Sequence, residues 1–306
     1  MPPLVAFTCG DPAGIGPEVA VKAIRNSHVR RAMKALAVGP RAVFERAGWR
    51  PSLCPLLDPG ISFSSRVRGP SAAGGEVSYR AVLVSVRMAI RGVIDAVVTA
   101  PISKESWALA GAGPLDHTQL IQRETGSKRI AMMLVGGGMR AVLATRHIPH
   151  ARVARRLTHA ALAEAAALAR EGLRALGVAR PEIALCALNP HAGDGGLIGT
   201  EEARVLTPAA ASLGLAGPYP ADALWKSHRD GRFDAVIAAY HDQALIPMKV
   251  AAGYSIVNWT LGSPIVRTSP GHGTAFEIAG RGKADPSGTI AAALLAVEAA
   301  ANRRRS

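Results

Sequence analysis

The chain has 306 residues, 49% of them hydrophobic and 19% charged, which is enough apolar material for a large buried core. We expect no membrane span and no signal peptide, because no apolar run approaches ~18 residues and the first residues lack a basic segment before an apolar one. Cys9, Cys54 and Cys186 have no metal-ligand spacing, so we expect buried thiols in a cytoplasmic protein rather than disulfides.

The net charge of +14 makes nucleic acid a partner to consider. The basic residues are spread thinly along the chain, and only residues 303–305 form a run. No zinc-finger, helix-turn-helix or RNA-binding signature is present. An arginine-rich surface, or steering of small anionic substrates, therefore explains the charge better, and we expect neither nucleic acid nor a membrane as a partner.

Short apolar runs alternate with helical patterns along the chain. In chain order, we predict a strand at residues 4–9, a helix at 18–26, a strand at 35–38, a helix at 79–91, strands at 96–99 and 140–145, a helix at 158–176, strands at 182–187 and 235–239, and a final helix after residues 285–286. Thr158 and Gly177 are the expected caps of the helix at 158–176. Residues 55–75, rich in Pro, Ser and Gly, are predicted to be a mobile loop. This alternation predicts an α/β protein with mostly parallel sheet.

Three of these strands are each followed by a histidine: His147, His191 and His241. Parallel sheets place ligands at the carboxyl ends of their strands, and three converging imidazoles would leave open positions on a divalent cation. The wide gaps between them leave the alternative of ordinary loop histidines. Asp194 and Asp242, beside two of them, favour a metal site. Four other histidines are expected at the surface: His28, His150, His159 and His228.

Several loops could approach an anion or a cofactor. Residues 10–18 connect a strand to a helix, but Val19 occupies the third glycine position of a dinucleotide fingerprint, so a tight turn is the alternative. Residues 116–119 begin a short helix whose N–H groups could hold an anion. Lys249, Asn258 and Arg267 carry groups that bind phosphate, and residues 271–274 would let the backbone approach a cofactor closely.

Together these stretches resemble the 4-hydroxythreonine-4-phosphate dehydrogenase family of vitamin B6 biosynthesis over nearly the whole chain. The resemblance is carried, in the family's order, by residues 10–18, 99–104, 189–193, 240–243 and 271–285. The first and last of these are also similar to loops of isocitrate and isopropylmalate dehydrogenases. The resemblance therefore implies their two-domain α/β fold with mostly parallel sheets and an active site in the interdomain cleft.

The resemblance also implies a domain organisation and partners. One domain would be 1–115 plus 268–306, with the nucleotide-binding loop, and the other 116–267, with the metal site, the substrate site and the dimer interface. The protein would be a homodimer whose metal ligands come from both subunits. It would use NAD or NADP and one divalent cation per site, either Zn, Mg or Co.

Particular residues take roles by this resemblance. The metal ligands would be His147, His191 and His241. The groups that contact the phosphorylated substrate would be His117, Thr118, Lys249, Asn258 and Arg267. The residues that face the adenosine part of the cofactor would be Gly271, His272, Gly273, Thr274 and Ile278.

The implied reaction is metal-dependent oxidation of the 3-hydroxyl of 4-hydroxythreonine 4-phosphate. The resulting β-keto acid then loses carbon dioxide to give 3-amino-2-oxopropyl phosphate. The metal lowers the pKa of the hydroxyl so that hydride can pass to the nicotinamide, and it stabilises the enolate. Asp242 is the candidate general base, with the alternative that its carboxylate orients a ligand histidine.

Two departures from the family pattern point to a paralogue as the alternative. Asp116 and Gly271 stand where the family usually has Gly and Asp, respectively. Paralogues would oxidise phosphorylated threonate or erythronate, or an aromatic cis-dihydrodiol carboxylate, which would not need the phosphate-binding residues retained here. A non-catalytic phosphate- or nucleotide-binding protein on the same fold is the alternative class, and the three histidines argue against it.

Overall fold

The computed structural model describes residues 1–64 and 66–303, so Arg304 and Arg305 of the basic run lie outside the described residues. The described strands are β1 Leu4–Thr8, β2 Lys34–Val38, β3 Leu56–Leu57, β4 Ala96–Val98, β5 Ala131–Gly136, β6 Met139–Leu143, β7 Ile183–Cys186, β8 Ala216–Tyr219, β9 Ala235–Ala238, β10 Val257–Leu261 and β11 Val266–Pro270. The described helices are α1 Gly16–Arg25, α2 Ser27–Ala32, α3 Arg41–Arg46, α4 Ala72–Ile90, α5 Lys104–Leu109, α6 His117–Thr125, α7 Val153–Arg156, α8 His159–Ala175, α9 Thr207–Leu213, α10 Ala221–Arg229, α11 His241–Ala252 and α12 Ser287–Arg303. Of the helices described, none has the length and apolar content to cross a bilayer.

The chain forms two compact units, Met1–Lys128 with Tyr254–Ser306, and Arg129–Gly253. The predicted domain boundaries differ from these limits, because residues 116–128 and 254–267 lie in the first unit. Helix α6 packs against α4, and β10 pairs with β11. These contacts join both segments to the first unit.

The first unit contains strands in the order β3-β2-β1-β4-β11-β10, parallel except for the antiparallel pair β10 and β11. Strands β1 and β4 are almost continuous apolar runs, as expected for central strands covered on both faces. Helix α12 packs on β11 and β4.

The second unit contains strands in the order β5-β6-β9-β7-β8. Strands β5 and β6 form an antiparallel hairpin, whereas β6, β9, β7 and β8 are parallel neighbours. The carboxyl ends of β6, β9 and β7 therefore lie side by side at one edge, and the three candidate histidines follow these strands.

The predicted α/β class and the predicted strands are confirmed, with ends that differ by one or two residues. Thr158 caps α8 by accepting a hydrogen bond from the Ala161 N–H at 3.2 Å. Helix α4 begins at Ala72, so the predicted loop at residues 55–75 is shorter than expected. The three cysteines are buried and unpaired, as predicted. Strands β3, β5, β8, β10 and β11 were not predicted. Antiparallel pairing adds β5, β10 and β11 without intervening helices.

The expectation that His228 lies at the surface is wrong. Its side chain is 1% exposed on α10, its Nε2 accepts from the Arg140 N–H at 2.8 Å, and its Nδ1 lies 2.9 Å from the Phe233 carbonyl. Burial lowers the pKa of His228 below its ordinary value. The helical pattern of the sequence did not distinguish this buried, hydrogen-bonded histidine from one exposed to solvent.

We predict that His228 makes the protein less stable in mild acid. The unfolded chain takes up a proton at this residue near pH 6.5, whereas the folded ring resists it, so the free energy of unfolding decreases as pH falls below that value. Urea unfolding at pH 7.5 and 5.5 should show a smaller loss of stability for His228→Gln than for the wild type. His159→Gln, which changes an exposed histidine, should keep the wild-type loss. Equal losses in all three proteins would contradict the prediction.

Candidate active site

Two of the predicted metal ligands lie close together. His147 follows β6 and His241 begins α11 directly after β9, and their ring centroids are 5.5 Å apart. The parallel pairing continues past the strand ends, because the Thr145 N–H and hydroxyl both donate to the Ala239 carbonyl, at 3.2 and 2.7 Å. These two hydrogen bonds thus fix the chain just before His147 and His241 at the edge of the sheet.

His191 does not join that pair within one chain. Among residues 1–64 and 66–303, no group of three His, Cys, Asp or Glu side chains is arranged to hold a metal ion. His191 is exposed on a left-handed stretch in which three non-glycine residues, His191, Ala192 and Asp194, have φ of 51°, 55° and 45°. Each such residue costs roughly 1–2 kcal/mol, and strain of this kind is found at functional sites where the surrounding structure imposes it.

The donor set around His241 fits a divalent cation. Asp242 Oδ1 lies 2.6 Å from His241 Nδ1, which leaves Nε2 of that ring for a metal. Both His147 and His241 are accessible to solvent, and two imidazoles need further ligands to complete a tetrahedral site. The predicted catalytic residue Asp242 thus contacts a candidate ligand and holds its orientation.

Gln243 was missed by sequence reasoning. Its buried side chain accepts from the Ala239 N–H and donates to the Ala187 carbonyl, both at 2.7 Å. The amide therefore links the end of β9, which carries His241, to the end of β7, which precedes His191. Its position next to His241 and Asp242 in the sequence was the feature that could have identified Gln243 as part of the site.

Arg267 forms a buried cationic site on β11. Its side chain is 3% exposed, its Nε and Nη2 donate to Thr99 Oγ1 at 2.9 and 2.6 Å, and Nη1 donates to Thr260 Oγ1 at 3.2 Å. Within the described chain no carboxylate forms an ion pair with it. Burial lowers the pKa of Arg267 to about 9, so the group is still charged at neutral pH. A buried cation held only by hydroxyl groups is suited to bind an anion.

His117 lies beside this cation. Its Nε2 is buried without a hydrogen-bond partner among the described residues, and its ring packs edge-on against Trp107 at 5.6 Å between centroids. Burial and the charges of Arg267 and Lys104 lower its pKa well below the ordinary value. His117 is therefore neutral at neutral pH and offers an unused ring nitrogen to a ligand.

Asp116 is accommodated as a helix cap. Its carboxylate accepts from the Gln119 N–H at 2.9 Å, and the Gln119 side chain accepts from the Asp116 N–H at 2.9 Å, which is a capping box. Lys104 also lies 3.5 Å from this carboxylate. This departure from the family pattern therefore forms local bonds at the start of α6.

The other predicted anion-binding residues are divided between the units. Thr118 is in the first turn of α6, and Asn258 shares one face of the β10–β11 pair with Thr260 and Arg267. Lys249 belongs to the second unit, where it is exposed on α11. Sequence reasoning gave no role to Thr99 and Thr260, although polar alternation in β10 was a signal for the latter.

The predicted cofactor loop packs against the start of α1. The Ile15 N–H donates to the Thr274 carbonyl at 2.9 Å, the Ala284 N–H donates to Glu18 at 3.0 Å, and Lys22 donates to the Ala284 carbonyl at 2.7 Å. All five residues predicted to face the adenosine group lie on this loop. Residues 10–18 and 271–284 thus form one structural element.

Gly271, the second departure, is set by close packing. Its N–H donates to the Ile256 carbonyl at 2.7 Å, and a Cβ at this position would lie 2.9 Å from Ile256 Cγ2. An aspartate here would require Ile256 to move.

A cavity of about 660 Å³ adjoins this element in the first unit. Its lining includes Gly14 and Gly280 together with Lys22, Arg25 and Arg46. Lys22 is held by Glu18 at 2.8 Å, whereas Arg46 forms no ion pair with a described carboxylate. The cavity is therefore cationic and has a glycine-rich wall.

The structure thus combines an α/β fold with an imidazole pair at the end of a parallel sheet in the second unit and a buried arginine bonded to hydroxyl groups in the first. A family model described as pyridoxal phosphate biosynthetic protein PdxA matches residues 18–296. The 4-hydroxythreonine-4-phosphate dehydrogenase of Beijerinckia indica subsp. indica is 41% identical, over 92% of this chain and 91% of the relative.

Solved structures are similar over nearly the full length. That of 4-hydroxythreonine-4-phosphate dehydrogenase from Klebsiella pneumoniae is 32% identical with a TM-score of 0.86, covering 97% of this chain and 99% of the other. That of terephthalate 1,2-cis-dihydrodioldehydrogenase from Burkholderia xenovorans LB400 is 30% identical with a TM-score of 0.65, covering 95% and 98%. The chain belongs to the PdxA family, and it is an enzyme of the dehydrogenase class that uses a nucleotide cofactor and a metal.

We predict that Arg267 reduces the stability of the protein until an anion binds. Arg267→Met removes an unpaired buried charge, so its melting temperature without phosphate should equal or exceed that of the wild type. Inorganic phosphate should stabilise the wild type, by about 2.7 kcal/mol at a hundredfold excess over Kd, but not the variant. Scanning calorimetry in phosphate and in chloride at equal ionic strength measures both effects.

Arg155→Met, which removes an exposed arginine from α7, is the matched control and should keep the phosphate shift. An Arg267→Met protein that phosphate stabilises as much as the wild type would remove Arg267 from the anion site.

Proposed function

We propose that the protein oxidises the 3-hydroxyl of 4-hydroxythreonine 4-phosphate with NAD or NADP and a divalent cation. Hydride passes from C3 to the nicotinamide and the hydroxyl proton is released. The β-keto acid then loses its carboxylate as carbon dioxide, and the enolate left at C2 takes up a proton to give 3-amino-2-oxopropyl phosphate. The relatives named for this dehydrogenase activity support the assignment.

The observation that carries the proposal is the buried Arg267, which forms no ion pair with a described carboxylate. Beside it lies His117, whose Nε2 has no hydrogen-bond partner among the described residues. A substrate phosphate would accept from the guanidinium N–H groups that the hydroxyls leave unused, and from His117 Nε2–H. Thr118 and Asn258, in the same unit, would add neutral donors. A dihydrodiol carboxylate has no phosphate for these groups, so a phosphorylated substrate is favoured over that paralogue class.

His147 and His241 would hold the cation, which we propose to be Zn, Mg or Co. When bound, such an ion supplies Lewis-acid chemistry to the hydroxyl and carboxylate oxygens of the substrate. Asp242 would keep the proton of His241 on Nδ1, so that Nε2 is the ligand atom. This positioning role is favoured over that of general base, because the carboxylate is already bonded to the imidazole.

His191 would complete the metal site from the partner of a homodimer. Three observations support this arrangement: His191 is exposed, it is apart from the other pair within one chain, and apolar side chains near these residues in sequence face solvent. Leu197 is 85% exposed after the His191 loop, and Ile246 and Val250 on α11 are 64% and 85% exposed. Exposed apolar surface of this kind marks protein–protein contact sites.

The cofactor would bind along residues 271–278, with its phosphates toward the cationic cavity. Arg25 and Arg46 both line this cavity, and neither forms an ion pair with a described carboxylate. Glycine at 273 and 280 would allow the chain to approach the nucleotide closely. We propose that this cavity binds either NAD or NADP.

We further propose a cytoplasmic location. Cys9, Cys54 and Cys186 are buried and unpaired, and burial raises the pKa of Cys186 to about 12. Thiols kept unpaired in this way are usual in a reducing compartment.

The proposed activity predicts the outcome of a substrate screen followed by absorbance of reduced nicotinamide. We expect turnover with 4-hydroxythreonine 4-phosphate that requires a divalent cation and is lost with a chelator. Phosphorylated threonate and erythronate should be poorer, and a cis-dihydrodiol carboxylate should be inactive. Arg267→Ala should raise KM more than it lowers kcat, because the phosphate is bound in ground and transition states alike.

A best rate with a phosphorylated threonate or erythronate would make the protein a paralogue. A best rate with the dihydrodiol would refute the phosphate assignment, and no reduction with any substrate would support the non-catalytic alternative.

A shared metal site predicts complementation between inactive subunits. His191→Ala and His147→Ala homodimers should each be inactive, because two imidazoles hold the ion too weakly. A heterodimer of the two has all three histidines at one of its two sites, so it should regain about half of the wild-type activity. Co-expression with different affinity tags and assay of the doubly tagged species measures this.

Mixtures of His191→Ala with His191→Ala carrying the second tag are the control and should stay inactive. A doubly tagged heterodimer without activity would show that all three ligands come from one chain, or that His191 is no ligand.

A further inference from the structure

Glu202 is a buried carboxylate with an unusual set of partners. It begins a π-helical turn, Glu202–Leu206, and is 6% exposed. Its Oε1 accepts from the Leu188 and Asn189 N–H groups at 2.9 and 2.8 Å, and its Oε2 accepts from the Asn189 side-chain amide at 2.8 Å. In the described part of the chain no basic side chain pairs with it, so N–H donors alone satisfy its charge.

These bonds act just before the strained loop that carries His191. Leu188 and Asn189 follow β7, and the chain enters its left-handed stretch two residues later. Fixing two successive main-chain N–H groups on one carboxylate sets the direction in which the chain leaves the strand. Without a buried acceptor these donors would have to rotate toward water, and the loop would rotate with them.

The loop also closes directly over the carboxylate. Gly193 has φ of +81°, and a Cβ at this position would lie 2.8 Å from Glu202 Oε2. The backbone conformation favours glycine there, and the space beside the carboxylate is too small for a Cβ unless Glu202 moves. The left-handed conformation of the loop and the position of Glu202 depend on each other.

We propose that Glu202 is a positioning residue that holds the loop at residues 188–196 in the conformation that presents His191 to the metal. This inference rests on the proposed function of His191 as a ligand. Glu202 itself binds neither metal nor substrate in this proposal. It acts through the main chain of Leu188 and Asn189.

The test compares Glu202→Gln with Glu201→Gln by Co²⁺ binding to the purified full-length protein. Glutamine at 202 keeps the size and can still accept from the Leu188 and Asn189 N–H groups through its amide oxygen, but without the negative charge these bonds are weaker. Its NH₂ then faces the side-chain NH₂ of Asn189, where the carboxylate had an acceptor. Its Co²⁺ affinity should fall roughly tenfold or more, and its cobalt absorption spectrum should approach that of His191→Ala. Glu201 is half-buried and bonds the Asn189 side chain but not the Leu188 or Asn189 main chain, so its variant should lose less than about threefold.

A purely structural role predicts a different result. Glu202→Gln would then melt at a lower temperature but bind Co²⁺ with wild-type affinity and spectrum, and this outcome overturns the proposal. If Glu202→Gln does not fold, Gly193→Ala replaces it, because the added methyl displaces the loop from an intact carboxylate. Wild-type Co²⁺ binding by Gly193→Ala would equally overturn the proposal.

Co²⁺ binding by His191→Ala distinguishes a failure of this inference from a failure of the proposed function. Wild-type Co²⁺ binding by His191→Ala would refute the metal assignment and the positioning role together. Weakened binding by His191→Ala with normal binding by Glu202→Gln would refute only the positioning role.

Discussion

Parallel pairing of β6, β9 and β7 is the constraint on which the candidate metal site depends. Residues that follow neighbouring parallel strands leave the sheet at the same edge, and this brings His147 and His241 to 5.5 Å between ring centroids. Gln243 then ties the ends of β9 and β7 with two bonds of 2.7 Å. A slip of one residue in this register would turn the side chains to the opposite face and separate the groups.

The first unit contains a second candidate binding group, the Arg267 guanidinium, which is buried and hydrogen-bonded to hydroxyl groups. Among the described residues, Arg267 donates to Thr99 and Thr260 alone, and burial and nearby positive charge lower the pKa of the neighbouring His117. Burying a charge without an ion pair lowers stability. The proposed contact with a substrate phosphate would offset this cost.

The two residues that depart from the family pattern, Asp116 and Gly271, are each accommodated by contacts with nearby residues. Asp116 is bonded within its own capping box, and Gly271 packs against Ile256. Neither change introduces an ion pair to Arg267 among the described residues. The proposed phosphate site is thus compatible with these two residues, although each differs from the residue usual in the family.

The sequence by itself determined the α/β class, the cap at Thr158, the buried cysteines and the histidines behind three strands, because apolar runs and caps are local patterns. Tertiary structure alone decided that His228 is buried, and that Arg267 bonds a threonine 168 residues away. It also decided the antiparallel pairs and the separation of His191 from the other two imidazoles within one chain. Such features depend on which strands become neighbours and on how loops bend, and local periodicity carries no information about either.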